Sequence, residues 1–366
     1  MRIGIIGLGL LGGSIAKTLK QINSNHSYII AYDNDVDILF TAQKENIINE
    51  FTFEINQKFA DCNIVFICTP VLYIVDIVKQ LLNYVKKDCI ITDVGSTKSD
   101  ILVNVKPIID KSNKGVHFIG GHPMAGSEKS GYLAASDYLF ENAYYIITPY
   151  EDTPEFMIFI LQKIIERLGS IPIVIPATFH DYAIATISHT PHIVASSLVH
   201  LVKSSDTKDH FLHTLAAGGF KDITRIASGD PTMWENICIS NKAEISDSLS
   251  SFIEILTLFK DKLDNNDTSA LHTFFNDAKS YRDTFRSGVK YTASKTFSML
   301  IDIKDRPGSI ATIATILGSN SINIKDIGIV NHREFDPGIL RVVFSTEHER
   351  LQAHELLLNH NYILYY

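Results

Sequence analysis

The sequence has little of what marks a disulfide-stabilised, membrane-spanning or nucleic-acid-binding protein. Its 366 residues include four cysteines, no two of which form a C-x-x-C pair, so we expect reduced, buried thiols. Lys and Arg number 33 against 41 Asp and Glu, and the net charge of −8 disfavours a broad nucleic-acid surface. The first apolar run is glycine-rich and too short to span a bilayer, and no signal-peptide pattern precedes it. We therefore expect a cytoplasmic protein without a membrane or nucleic-acid partner, and without a metal, because no clear cluster of metal ligands is apparent.

The spacing of apolar residues divides the chain into three regions. Residues 1–175 alternate short strand-like runs with helical stretches, which is typical of βαβ units around a largely parallel sheet. Residues 176–290 lose the strand-like runs and repeat apolar residues at helical spacing. Residues 296–366 alternate strands and helices again. The sequence predicts a doubly wound α/β domain, an all-α region that packs against a second copy of itself, and a small ferredoxin-like β/α module.

A glycine-rich turn directly follows the first strand-like run. Gly7, Gly9 and Gly12 have the G-x-G-x-x-G spacing and open a helical stretch. The first glycine allows a tight turn, the second lets the backbone approach a pyrophosphate, and the third lets helix and strand pack closely. Asp33 ends the second strand about 20 residues further on, where its carboxylate would accept hydrogen bonds from a ribose. These features predict a Rossmann-like dinucleotide-binding domain.

The charge beyond the second strand favours NAD over NADP. Asp35 adds a second carboxylate and no arginine follows, so a 2′-phosphate would be repelled. Thr69-Pro70 follows the third predicted strand, where such sheets place the nicotinamide side of the crevice, although it could simply end that strand. The predicted cofactor contacts are Gly7, Leu8, Gly9, Leu11, Gly12, Asp33, Thr69 and Pro70.

A second glycine-dense segment, Gly120–Gly131, sets His122 near Glu128. A histidine can take a proton near neutral pH and a bound nicotinamide can take a hydride, so together they point to oxidation of an alcohol carbon. Three further segments combine polar residues with tight turns; they are Thr92–Lys98, Ser188–His192 and Gly218–Trp234.

These segments, with the glycine turn and in this order, resemble the prephenate/arogenate dehydrogenase family from residue 1 to about 290. The resemblance implies NAD-dependent oxidative decarboxylation of prephenate. Hydride leaves C4 for NAD+, a base takes the hydroxyl proton, and loss of CO2 makes the ring aromatic. The C-terminal module resembles an ACT domain, a small amino-acid-binding regulatory module, through Asp305–Gly308 and Ile322–Ile324.

The resemblance also implies roles for individual residues. His122 is the expected base or hydrogen-bond acceptor at the reacting hydroxyl. Ser96 would bind the same hydroxyl or orient His122, unless it only caps the following helix. Arg225 would hold a substrate carboxylate in a bidentate fork. The other substrate-binding candidates are Ser127, Glu128, Ser188, His189, His192 and Asp222, of which the histidines could instead be core residues and Glu128 a solvated carboxylate.

Regulation and alternatives follow from the same resemblance. We expect a homodimer that tyrosine inhibits as end product, unless the C-terminal module only dimerises. The expected effector contacts are Asp305, Arg306, Gly308, Asn323 and Ile324. The sequence leaves arogenate open as the substrate. A β-hydroxyacid dehydrogenase and a catalytically inactive amino-acid sensor are less compatible with these motifs.

Overall fold

The computed structural model describes residues 1–22, 27–126, 129–207, 209–286, 297–304, 306–330 and 338–365. The chain divides into two compact units, Met1–Asp261 and Lys262–Tyr366. Within the described ranges, no helix is both long and apolar enough to cross a membrane. The domain boundaries expected from the sequence, 1–175, 176–290 and 296–366, stay predictions.

An eight-stranded sheet forms the centre of the first unit. Its strands are β1 (Arg2–Ile6), β2 (Tyr28–Tyr32), β3 (Glu50–Thr52), β4 (Ile64–Ile67), β5 (Ile90–Asp93), β6 (His117–Pro123), β7 (Tyr144–Thr148) and β8 (Ile171–Val174). They lie in the order β3-β2-β1-β4-β5-β6-β7-β8, and β6 and β7 are antiparallel while the other neighbours are parallel. The first six follow the Rossmann order, so the predicted Rossmann-like fold is confirmed. Strand β3, which has only three residues at the edge of the sheet, was not predicted from the sequence.

The strands are apolar on both faces because helices cover both faces of a parallel sheet. Along β1, Ile3 and Ile5 belong to one buried cluster and Ile6 to another. The helices of this unit are α1 (Leu10–Ile22), α2 (Val36–Lys44), α3 (Ile74–Leu81), α4 (Ser99–Ser112) and α5 (Glu155–Arg167). Asp35, whose charge we expect to disfavour NADP, also caps helix α2. Its side chain accepts hydrogen bonds from the backbone N–H groups of Asp37 and Ile38.

After residue 176 the described chain of the first unit is helical, as the sequence predicts. The helices are α6 (Ala177–Ile184), α7 (Thr190–Ser205), α8 (Phe211–Leu215), α9 (Gly218–Thr224), α10 (Pro231–Ser240) and α11 (Lys242–Asp264), the last of which ends in the second unit. A π-helical turn, Ala185–His189, joins α6 to α7, and such turns are frequent at functional sites. A short 3₁₀ turn, Arg225–Ser228, follows α9.

The second unit begins with helical residues and continues as a four-stranded antiparallel sheet with two helices. Its elements are α12 (Thr268–Arg286), β9 (Phe297–Ile303), α13 (Ser309–Ser319), β10 (Asp326–Val330), β11 (Gly338–Phe344), α14 (Glu347–Asn359) and β12 (Leu364–Tyr365). From β9 onward the succession is β-α-β-β-α-β, and the strand order β10-β11-β9-β12 is that of a ferredoxin-like fold. Alternate residues of β9 and β11, among them Met299 and Val342, pack with Ile313 of α13 and Leu357 of α14 in one core.

Candidate active site

The carboxyl ends of four neighbouring parallel strands carry most of the residues that the sequence singled out. Strands β1, β4, β5 and β6 run side by side in the same direction. Gly7, Thr69 and Ser96 each follow one of the first three strands, and His122 lies near the end of β6. Ligands of doubly wound sheets bind outside this edge, so the sheet order alone arranges these residues along one crevice.

The three glycines of the turn meet different demands. Gly7 has φ +91°, the left-handed region that favours glycine. A Cβ on Gly12 would lie 1.9 Å from the carbonyl oxygen of Gly7, so helix α1 can leave the strand this closely only with glycine there. A Cβ on Gly9 would meet nothing within 4 Å. Gly9 is therefore the position where the backbone faces open space and can approach a ligand.

Asp33 and Thr69 lie on either side of this turn. The backbone N–H of Leu8 donates to Oδ2 of Asp33 at 2.6 Å, and that of Asp35 donates to Oδ1 at 2.8 Å. The side chain of Leu8 is fully buried in the core, so the structure shows it packing, and its cofactor contact stays a prediction. The Thr69 hydroxyl is buried without a hydrogen-bond partner among the described residues, and its methyl group lies beside Gly7. Pro70 is exposed.

His122 lies on a part of β6 that extends past its parallel neighbour. Residues 117–119 of β6 pair with β5, whereas residues 120–123 pair antiparallel with β7. Two glycines permit the close approach: a Cβ on Gly120 would lie 2.3 Å from Oγ1 of Thr148, and one on Gly121 would lie 2.5 Å from the carbonyl oxygen of Asp93. The glycine-dense sequence before His122 is thus required by packing at the strand end.

A buried ion pair holds this strand end against the turn after β5. Lys98 and Asp93 are both fully buried, and Nζ of Lys98 pairs with Oδ2 of Asp93 and donates to the carbonyl oxygen of Gly121 at 2.8 Å. Asp93 in turn accepts from the N–H of Gly121 at 3.1 Å and of Gly95 at 2.9 Å. The turn between them carries Ser96, which is half-buried. The pair therefore fixes the segments of Ser96 and His122 relative to each other.

The imidazole of His122 is the first member of a hydrogen-bonded triad. Its Nδ1 lies 2.8 Å from Nε2 of His180, and Nδ1 of His180 lies 2.7 Å from Oδ1 of Asp181. His180 and Asp181 are 1% and 2% exposed, whereas His122 is partly exposed. We refer to His122, His180 and Asp181 as the triad.

Asp181 also caps helix α4. Its Oδ1 accepts from the backbone N–H of Lys98 at 2.8 Å and its Oδ2 from that of Ser99 at 2.7 Å. A carboxylate is stabilised at a helix N-terminus by these free donors and by the helix dipole. Burial alone would raise the pKa of Asp181, but the hydrogen bonds from His180, Ser99 and Lys98 outweigh it and lower the pKa. The carboxyl group is therefore ionised at neutral pH.

The surroundings of His122 keep it uncharged. Burial lowers the pKa of His122 well below its usual range, and the neighbouring His180, Lys98 and His189 lower it further. An uncharged imidazole is the form that can accept a proton. His122 is therefore in this uncharged form at neutral pH.

Two further histidines come from the π-helical turn and the start of α7. His189 is 1% exposed, and its Nδ1 lies 3.2 Å from Nδ2 of Asn241, which also donates to the carbonyl oxygen of Asp181 at 2.9 Å. Burial lowers the pKa of His189 to about 4. His192 stacks on Trp234 with ring centroids 3.4 Å apart, and burial lowers its pKa too. Both rings are therefore neutral donors or acceptors at neutral pH.

The remaining predicted substrate contacts are more exposed. Arg225 lies in the 3₁₀ turn after α9, both of which pack against α7, and its side chain is exposed. Asp222 is exposed on α9, and Ser188 is half-buried in the π-helical turn. Ser127 and Glu128 lie outside the described residues, as does Asp305 of the predicted effector site.

The structure separates the other predicted effector contacts into two groups. Arg306 and Gly308 follow the end of β9, and Gly308, with φ +89°, begins α13. Asn323 and Ile324 precede β10, whose first residue pairs with Val343, level with the start of β9. The two groups thus lie at opposite ends of one sheet, about 20 Å apart for a seven-residue strand. One copy of the module does not bring them together.

Sequence reasoning missed five residues of the site, namely Asp93, Lys98, His180, Asp181 and Asn241. Asp93 and Lys98 stood in a segment that the sequence did single out, and a lysine five residues after a strand-end aspartate was the available signal. His180-Asp181 carried no signal beyond a histidine and a carboxylate in a helix. Across the part of the chain that the structure describes, no three His, Cys, Asp or Glu side chains are grouped to hold a metal ion.

Comparison with known proteins gives consistent matches. The family model for the nucleotide-binding domain of prephenate dehydrogenase matches residues 15–174, and that for its dimerization domain matches residues 176–277. A prephenate dehydrogenase of Bacillus subtilis (strain 168) is 34% identical over 354 residues, which is 96% of this chain and 94% of the relative.

Solved structures agree with these matches. The crystal structure of a prephenate dehydrogenase from A. aeolicus, in complex with hydroxyphenyl propionate and NAD+, is similar with a TM-score of 0.72 and 31% identity. The match covers 78% of this chain and 98% of that one. A Synechocystis arogenate dehydrogenase has a TM-score of 0.69 and 28% identity, covering 78% of this chain and 100% of the other.

Proposed function

The chain belongs to the prephenate dehydrogenase family, and we propose that it oxidises prephenate with His122 as the base at the C4 hydroxyl. Prephenate carries a ring alcohol at C4 and a carboxylate at C1 of a cyclohexadiene. Oxidation at C4 gives a dienone that resembles a vinylogous β-keto acid, so CO2 departs and 4-hydroxyphenylpyruvate forms. The observation that carries the proposal is a partly exposed, uncharged imidazole that is hydrogen-bonded to His180 at the carboxyl edge of a dinucleotide-binding sheet.

The residues of the chain have two tasks in this reaction. His122 accepts the hydroxyl proton, which strengthens the electron push on the C4–H bond. We propose that Ser96, which lies in the neighbouring turn beside the Lys98–Asp93 pair, hydrogen-bonds the same hydroxyl. Bound NAD+ supplies the hydride acceptor. Decarboxylation follows from the electronic structure of the dienone and needs no further catalytic group.

NAD fits the glycine turn. Gly9 leaves the backbone open to a pyrophosphate, the N-terminus of α1 supplies N–H donors, and Asp33 retains acceptor capacity for ribose hydroxyls. The hydroxyl of Thr69, which is buried without a hydrogen-bond partner among the described residues, follows β4 at the same edge of the sheet. We propose Gly7, Gly9, Gly12, Asp33 and Thr69 as the main cofactor contacts.

Two alanine substitutions separate cofactor binding from packing in this turn. Gly9→Ala places a methyl group where the pyrophosphate approaches, so we expect the Kd for NAD+ to rise at least about tenfold, or about 1.4 kcal/mol. The melting temperature of Gly9→Ala stays that of the wild type, because nothing lies within 4 Å of the new Cβ. In Gly12→Ala the new Cβ collides with the carbonyl oxygen of Gly7, so the free energy of unfolding of this variant falls by about 1–3 kcal/mol or more. Fluorescence titration with NAD+ and thermal denaturation measure the two effects, and equal melting temperatures for both variants would contradict this assignment.

Prephenate has two carboxylates, and we propose that Arg225 binds one of them. Guanidinium groups hold carboxylates in a bidentate fork, and the turn of Arg225 packs on α7, the helix that carries His192. His192, His189 and Ser188 are neutral groups that would hydrogen-bond the rest of the substrate.

Replacing Arg225 with alanine raises KM for prephenate by about 10- to 100-fold and changes kcat much less. This increase corresponds to the free energy that a charge-assisted hydrogen bond usually contributes. Arg167→Ala, which removes an exposed arginine from the last turn of α5, serves as the control and leaves both constants unchanged. Steady-state NADH formation measures both variants. A fall in kcat with constant KM would show that Arg225 does not contribute to binding of the substrate in its ground state.

The pH dependence of kcat/KM reports the base in the free enzyme. Since His122 must be uncharged to accept a proton and burial lowers its pKa, activity is lost only as the pH falls below the ordinary histidine value of 6.5. His180, Lys98 and His189 face the same ring and act in the same direction. An acid limb centred at or above pH 6.5 would show that another group or another ionisation state limits the reaction.

The direct test of function is NADH formation with prephenate and arogenate in parallel assays, each with and without millimolar tyrosine. Turnover of prephenate with loss of CO2 is the expected result, and turnover of neither compound overturns the proposal. Preference for arogenate would make the chain an arogenate dehydrogenase, the activity named for the Synechocystis relative.

We propose that the ferredoxin-like module, residues 296–366, is an ACT domain that binds tyrosine and inhibits the enzyme. Its β-α-β-β-α-β succession and the exposed turn of Arg306 and Gly308 support this. Because Asn323 and Ile324 lie at the other end of the sheet, the site would take those residues from a second copy. An unchanged rate in millimolar tyrosine would leave dimerisation as the role of the module.

The helical region is a dimerisation domain, and we propose that it forms a homodimer. Its own buried apolar cluster is small, comprising Ala185, Ile237 and Ile245, and Ile253 and Leu258 of α11 are 61% and 56% exposed. A second copy covers such surfaces in a symmetric dimer. Light scattering on the full chain tests this, and a monomer at micromolar concentration overturns it.

A further inference from the structure

We propose that His180 and Asp181 are positioning residues that fix the tautomer of His122, so that Nε2 is its unprotonated nitrogen. The inference deepens the proposed function, since it rests on His122 as the base. A neutral imidazole carries its proton on one of two nitrogens, and only the other can take a proton from a substrate.

The direction of each hydrogen bond in the triad follows from its buried end. Asp181 is ionised and can only accept, so Nδ1 of His180 is the donor in the 2.7 Å contact. In neutral His180, Nε2 is then bare and accepts. The 2.8 Å contact to His122 is therefore donated by Nδ1 of His122. That leaves Nε2 of His122 without a proton, and the substrate side of the ring becomes the basic side.

The opposite direction needs an extra proton in a region that disfavours it. A charged His180 would donate from Nε2 and force the proton of neutral His122 onto its own Nε2, which would block the base. Such a cation would be only 1% exposed, and burying an additional charge costs free energy. The single carboxylate of Asp181 already accepts from Lys98 and Ser99 as well as from His180. The hydrogen bonds of the triad are satisfied without that extra proton, so the direction of donation from His122 to His180 needs no additional buried charge.

The same arrangement stabilises the charge that forms during the reaction. As the O–H bond of the substrate breaks, a bond forms between the proton and Nε2 of His122, the O–H electron pair forms the C4 carbonyl, and the C4–H pair leaves as hydride to the bound NAD+. His122 becomes an imidazolium whose Nδ1–H points to His180. The proton on Nδ1 can move to Nε2 of His180, which places the positive charge against Asp181. The role of this aspartate is comparable to that of the buried carboxylate of a serine protease, which orients its histidine and stabilises the imidazolium.

The tautomer can be observed in the wild-type protein without substrate. In long-range ¹H–¹⁵N spectra of ¹⁵N-histidine-labelled protein, the His122 signals, assigned by their loss in His122→Asn, should show a protonated Nδ1 and an unprotonated Nε2. A protonated Nε2 at neutral pH overturns the proposal. This result is independent of turnover, so the proposed function could fail while the tautomer is confirmed, or the reverse.

Two substitutions of His180 test whether the tautomer matters for rate. His180→Gln can still accept from His122 and donate to Asp181, whereas His180→Phe can do neither. We expect kcat to fall by about 100-fold or more in the phenylalanine variant and by no more than about tenfold in the glutamine variant, within the range of general base catalysis. KM for prephenate and Kd for NAD+ should stay within about threefold in both, because His180 is only 1% exposed and the proposal gives it no contact with either ligand.

His117→Gln serves as the control and should leave kcat unchanged, because this other histidine of β6 lies 3.9 Å from Asp88 rather than in the triad. Equal losses of kcat in both His180 variants, or no loss in either, overturn the proposal. Parallel increases in KM and Kd would show that His180 only supports the local structure, and would overturn it as well.

Discussion

Replacing His122 with asparagine lowers kcat for prephenate by about 10²- to 10⁴-fold, the range that a general base contributes. Asparagine is smaller than histidine and keeps an amide that can contact His180, so the strand end and the triad partners remain in place. It has no nitrogen that can take a proton from the substrate. KM for prephenate therefore changes by no more than about threefold, because the carboxylates and the cofactor are bound elsewhere.

The measurement is steady-state NADH formation with saturating NAD+ over a range of prephenate concentrations. His117→Asn, at the opposite end of β6, is the matched control and keeps wild-type kcat, because its side chain faces Asp88 rather than the triad. Wild-type kcat in His122→Asn would remove His122 from the mechanism. A rise in KM alone would make it a binding residue.

Replacing Lys98 with methionine lowers the free energy of unfolding by about 3–5 kcal/mol, as expected when one partner of a buried ion pair is removed. Methionine fills most of the same volume, so the loss comes from charge rather than from a cavity. The carboxylate of Asp93 keeps its contacts with Gly95 and Gly121 but loses the ammonium group that neutralises it in a fully buried site. Because the pair connects the turn of Ser96 with the strand end of His122, we expect kcat to fall as well.

Urea denaturation followed by circular dichroism measures the difference, with the transition of the second unit analysed separately where it is resolved. Lys106→Met is the control, because Lys106 is partly exposed and pairs with the exposed Asp110 and Asp152, where an ion pair contributes less than about 1 kcal/mol. Adding Asp93→Asn to Lys98→Met should restore part of the stability by removing the unpaired charge. A double variant no more stable than the single one would contradict a dominant role for charge.

The fold of the first unit was accessible from the sequence because its signals are local. A glycine turn after an apolar strand, and Asp33 at the end of the next strand, predict the Rossmann-like half directly. Strand β3 was missed because three residues, Glu50–Thr52, are too few for a pattern. The change to helices after residue 176 was predicted because short strand-like apolar runs give way there to apolar residues at helical spacing.

The site was only partly accessible because its central contacts join distant segments. Within the site, His122 and Arg225 can be named from motif and chemistry. His180 is 58 residues from His122 and Asp181 is 83 residues from Lys98 along the chain, and no spacing rule predicts such contacts. A histidine next to an aspartate in a helix is compatible with an ordinary surface position, and only the folded structure shows both to be buried.

Asp181 connects two events that are usually separate, the completion of the fold and the readiness of the base. A nascent or proteolysed chain that ends before residue 177 contains every strand of the large sheet and the whole glycine turn. It lacks the carboxylate that caps α4 and the ring that holds His122. Such a fragment could hold a nucleotide and still be inert toward an alcohol. Because the sheet region is made first during synthesis, we expect the cofactor site to form before the triad is complete.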